Sequence, residues 1–72
     1  MSSYNPKNDL IAAIHSHRAG DIKTAIEGYD RILSILPDHP DANHNLALIE
    51  LDAGKIDQAL ERFKTAIHKI QK

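Results

Sequence analysis

Apolar residues in this 72-residue chain recur at helical spacing in four segments, and no stretch alternates apolar and polar over more than a few positions. Leu10, Ile14 and His17 stand at i, i+4 and i+7, on one face of a helix, and His44, Leu48 and Leu51 repeat that spacing later in the chain. Two broader stripes follow these segments. The first is Ile22, Ala25, Ile26, Tyr29, Ile32, Leu33 and Leu36; the second is Ile56, Ala59, Leu60, Phe63, Ala66, Ile67 and Ile70. A stripe this wide is more than one partner covers, which predicts a helix that touches its hairpin mate on one side and a further helix on the other. Valine is absent, and no segment reads as strand. The pattern predicts an all-α chain of four antiparallel helices, each about 11 to 15 residues long and joined by short turns.

The residues between the stripes agree with this division. Pro6 and Pro40 suit a first helical turn, where a missing amide hydrogen is no loss, and Asn5 is a good residue to precede one. Gly20 and Gly54 follow the first helix of each pair, where a left-handed backbone costs glycine little, and Asp21 is placed to cap the next helix. Pro37 and Pro40 bracket the connection between the pairs. Gly28 lies inside a stripe, where it is expected to cost about 1 kcal/mol relative to alanine.

The chain also repeats itself. A shift of 34 superimposes Ala13 on Ala47, Ala19 on Ala53, Gly20 on Gly54, Ile22 on Ile56, Ala25 on Ala59, Glu27 on Glu61 and Tyr29 on Phe63, with Pro6 on Pro40. This divides the chain into a leader, 1–5, and two units, 6–39 and 40–72, within a single domain. Helix-turn-helix units of this period, carrying AGDIKTAIEGY (Ala19 to Tyr29) and AGKIDQALERF (Ala53 to Phe63), resemble the tetratricopeptide repeat. Gly20, Ala25, Tyr29 and Pro37 match the family pattern in the first unit, and Leu46, Ala47, Gly54, Ala59, Phe63 and Ala66 match it in the second. Asp9 and Asn43 replace a bulky aromatic, Ser16 and Glu50 stand where tyrosine is frequent, and Gln71 replaces the closing proline. These departures predict a lightly packed first hairpin.

The resemblance implies a right-handed α-solenoid fragment whose inner face is lined by the first helix of each unit. Carried over by position, that face comprises Lys7, Leu10, Ile14, His17 and Arg18, with Asp41, His44, Asn45, Leu48, Leu51 and Asp52. An apolar strip with charges around it is what a groove for an amphipathic helix or a short apolar peptide needs; the alternative is that these side chains pack within the same small fold. Relatives that clamp a terminal carboxylate do so with Lys, Asn and Arg. Asn45 alone matches that set, so carboxylate capture is not expected. Two repeats leave Leu60, Ile67 and Ile70 on a face with no further helix of this chain to cover it, and self-association there, as a homodimer, or packing against neighbouring repeats of a longer parent, is expected. The resemblance thus implies a noncatalytic scaffold or adaptor for protein or peptide partners. An alternative is the N-terminal substrate-recognition segment of a larger enzyme, such as a glycosyltransferase or methyltransferase.

Composition narrows the chemistry. Nine Lys and Arg against ten Asp and Glu give a net charge of -1, too little positive charge for a nucleic-acid or membrane-surface partner. Cysteine is absent, which removes disulfides and thiolate chemistry. No apolar run approaches the length of a membrane span and no signal segment is evident, so a cytoplasmic location is expected. Of the five histidines, His15 and His17 at i, i+2 point to different sides of a helix, and His17 with His44 would need a third ligand from Asp41 or Asp52. No metal site, cofactor or catalytic residue is expected.

Overall fold

A computed structural model describes residues 3–70, with side chains through His68. It contains four helices, α1 (Lys7–Arg18), α2 (Ile22–Ile35), α3 (Pro40–Asp52) and α4 (Ile56–Ile70), and no strand among the described residues. The closest packing is within the pairs α1–α2 and α3–α4; α2 also lies against α3, and α1 touches α3 only slightly. This is the predicted pair of helical hairpins.

Both hairpin turns are built alike. The amide of Gly20 donates to the His17 carbonyl and that of Asp21 to Ser16, while Gly54 donates to Leu51 and Lys55 to Glu50, at 2.8–3.1 Å. These paired bonds close a helix only if the residue after its last turn is left-handed, and Gly20 and Gly54 have φ of 84° and 82°. Asp21 then caps α2 by accepting from the Thr24 amide at 3.3 Å. The start of α1 differs from the sequence expectation. Pro6 occupies the cap position, and Asn5 serves the first turn from outside it, its side chain accepting from the Lys7 amide at 2.9 Å. At α3 the cap is His39, whose Nδ1 accepts from the Ala42 amide at 3.1 Å, with Pro40 as the first helical residue.

The core runs through the α2–α3 contact. Ala25, Tyr29 and Ile32 of α2 meet Ala42, Leu46 and Ile49 of α3, with Ala13 contributed by α1; Leu10, Ile14, Ile26 and Leu33 pack against them, half-buried. The principal extents of the molecule are 41 × 31 × 16 Å. Helix axes pack about 10 Å apart, so a body this thin is no more than two helices deep and encloses few side chains completely. Among the large described residues Tyr29 and Ile32 are fully enclosed.

Packing gives Gly28 a reason that its helical position alone does not. A Cβ there would lie 2.8 Å from the Ala13 Cβ, inside any normal contact. The expected propensity cost is therefore offset by the close approach of α1 and α2 that glycine permits.

Three of the four positions where the family pattern calls for aromatics, Asp9, Asn43 and Glu50, hold polar groups with partners. Buried Asn43 donates its side-chain amide to the Pro37 carbonyl at 3.1 Å and the His39 carbonyl at 3.0 Å, holding the connection between the pairs. Arg62 Nε donates to both carboxylate oxygens of Glu50 at 2.8 and 2.9 Å, joining α4 to α3. Asp9 accepts from the Tyr4 hydroxyl at 2.7 Å and sits 3.5 Å from Arg31.

Candidate protein-binding surfaces

The first candidate surface is the side of the slab carried by α1 and α3. Leu10 and Ile14 are half-buried, because their inner edges pack against the core, while Leu48 and Leu51 of α3 stay 38% and 46% exposed. The apolar floor of the groove is therefore supplied more by α3 than by α1. Lys7, Arg18, Asp41 and Asp52 are exposed at its corners. Asn45, half-buried, donates to the Asp41 carbonyl of its own helix at 2.8 Å, so that amide is already engaged.

Each groove histidine leans on the aromatic residue of its own hairpin. His17 meets Tyr29 edge-on with ring centroids 6.2 Å apart, and His44 meets Phe63 edge-on at 5.5 Å. Both imidazoles thus make ring contacts within their own hairpins, and among the described residues no three His, Cys, Asp or Glu side chains gather as metal ligands would. Tyr29 places its hydroxyl 3.5 Å from His17 Nδ1, a long contact. Burial pushes the Tyr29 phenol above its ordinary pKa, opposed by the charge of nearby Arg18.

Sequence reasoning missed a pocket at the turn end of this groove. His17, Ile22, Ile26, Ile49, Asp52 and Ala53 line an open pocket of about 310 Å³ between α2 and α3. Its apolar walls come from the stripe of α2 and the inner edge of α3. The signal available was the width of the α2 stripe, which includes more residues than one facing helix covers.

The second candidate surface is the outer side of α4. Ile56, Leu60 and Ile67 are 55%, 52% and 53% exposed there. The side chain of Ile70, expected on the same face, lies outside the described residues. The equivalent residues of α2, one period earlier, are Ile22, Ile26 and Leu33, of which Ile26 and Leu33 are half-buried in the core. The core cluster against which they pack includes Ala42, Leu46 and Ile49 of α3.

A family model for the tetratricopeptide repeat matches residues 16–72, which is most of the chain and includes the last part of α1 and all of α2, α3 and α4. With its paired helices and glycine-closed turns, the chain belongs to the tetratricopeptide repeat family. Modules of this family are in general protein-interaction domains and typically noncatalytic. Comparison with the curated proteins and with the solved structures gave no match. None of the described helices is long and apolar enough to cross a membrane.

Proposed function

We propose that this protein is a noncatalytic interaction module that self-associates through the outer face of α4 and offers the α1–α3 groove to a protein or peptide partner. The observation that carries the self-association is the contrast between Leu60 and Ile67, each about half exposed, and their α2 counterparts Ile26 and Leu33, packed against a core cluster that includes α3 residues. Complete burial of one large aliphatic side chain is worth about 1.5–3 kcal/mol, and roughly half of that remains to be gained on a side chain already half covered. Several such residues on two copies give a useful driving force.

The other end of the molecule argues for the geometry. The residues of α3 that cover α2 are Ala42, Leu46 and Ile49; one period earlier α1 carries Asn8, Ala12 and His15, all exposed. A second copy therefore has no suitable face with which to cover α4 head to tail. Contact of α4 with α4 across a two-fold axis is the closed arrangement these surfaces favour.

Light scattering is the direct test. Wild-type protein is expected at twice the chain mass, with Leu60→Glu and Ile67→Glu at the chain mass and of unchanged helicity. A well-folded wild-type monomer throughout the micromolar range overturns the self-association.

A further inference from the structure

The groove carries a charge arrangement that its apolar floor does not require. Lys7 and Arg18 stand near the two ends of α1, and Asp41 and Asp52 occupy the positions one period later, near the two ends of α3. The repeat has kept the places and reversed the sign. All four side chains are exposed, and none takes part in an ion pair among the described residues, whereas Asp9, Glu50 and Glu61 are each paired with a cation. The α1 bank of the groove is therefore positive and the α3 bank negative, with Leu48 and Leu51 exposed on the α3 side and the His17–Asp52 pocket continuing the apolar surface at one end.

From this placement we infer that the groove receives an amphipathic helix whose apolar stripe is flanked by acidic residues on one edge and basic residues on the other. The inference rests on the groove reading above and specifies the partner's chemistry. Such a helix lies along α1 and α3, its acidic edge over Lys7 and Arg18 and its basic edge over Asp41 and Asp52. A uniformly acidic or uniformly basic helix meets like charge on one bank. Exposed pairs add little affinity each, but like charges across an interface are penalised, so the arrangement acts chiefly as a selector. It also fixes the direction of the bound helix, because turning the helix end for end exchanges its edges.

The test uses three fluorescein-labelled helical peptides with the same leucine stripe, one carrying glutamate on one flank and lysine on the other, one glutamate on both, one lysine on both. Fluorescence anisotropy with the wild-type chain is expected to favour the split peptide by about fivefold over either uniform one, the scale of two exposed charge pairs. Lys7→Glu with Arg18→Glu makes both banks acidic and is expected to shift the preference to the lysine peptide. Asp41→Lys with Asp52→Lys is expected to shift it to the glutamate peptide. Equal binding of all three peptides, still abolished by Leu48→Glu, overturns the charge selection and leaves the groove in place. Failure of every peptide to bind, or binding indifferent to Leu48→Glu, removes the groove reading itself and the inference with it. The four corner charges would also be self-complementary across a two-fold axis parallel to α1 and α3. A fall in oligomer mass caused by either charge reversal therefore reassigns the face to a second copy and overturns the proposal.

Discussion

Gly28 shows how a single residue can be read correctly for its intrinsic cost and still be misjudged. Exchanging it for alanine should improve helix propensity by about 1 kcal/mol. Against that gain, the new methyl would sit 2.8 Å from the Ala13 Cβ, and overpacking of this kind costs about 1–3 kcal/mol. Since the nearest atom is another short side chain with no rotamer to give, the helices must separate. Gly28→Ala is expected to lower stability by about 1 kcal/mol in urea denaturation, and adding Ala13→Gly should restore much of the loss. A stabilised Gly28→Ala protein would mean that α1 and α2 shift apart freely. The polar departures from the family pattern follow the same logic: Asn43 is tolerated in the core because two carbonyls at and just before the start of its own helix, those of His39 and Pro37, accept from it.

At the scale of the helix, the hairpin turns were legible and lateral contacts were not. Gly20, Gly54 and Asp21 determine where helices stop and start through bonds to residues three to five places away, so sequence sufficed. Glu50 and Arg62 are twelve residues apart and meet only because the second hairpin folds back. Their side chains are 12% and 32% exposed, unlike the open Lys64–Glu61 pair on α4. Arg62→Ala leaves a mostly covered carboxylate unpaired and is expected to cost about 1–2 kcal/mol. A double-mutant cycle with Glu50→Ala should return a coupling above about 0.5 kcal/mol, whereas a value near zero would rank the pair with the exposed ones. The groove was legible to a similar degree. The stripe placed Leu10, Ile14, Leu48 and Leu51 on one side of the molecule, but only packing decided that Leu10 and Ile14 lean inward, and that a pocket opens beside His17 between α2 and α3.

For the molecule as a whole, the two ends differ in kind. One presents Asn8, Ala12 and His15, the other Ile56, Leu60 and Ile67. A body 16 Å thin has little interior, and an uncovered apolar face is then a large part of its unfavourable surface. If the proposed self-association covers that face, folding and assembly are linked by mass action. The wild-type melting temperature is then expected to rise with protein concentration, by several degrees over a hundredfold range, while that of Leu60→Glu stays constant. A concentration-independent wild-type transition would separate folding from association and count against the dimer. The sequence by itself determined four helices, the glycine turns that end α1 and α3, and the pairing of the helices, because periodicity and turn chemistry act between near neighbours in the chain. Tertiary structure alone decided which stripe residues are covered and which remain open, and that Glu50 and Arg62 are paired. Burial depends on what distant segments supply, and α3 supplies a cover to α2 that nothing within the described residues supplies to α4.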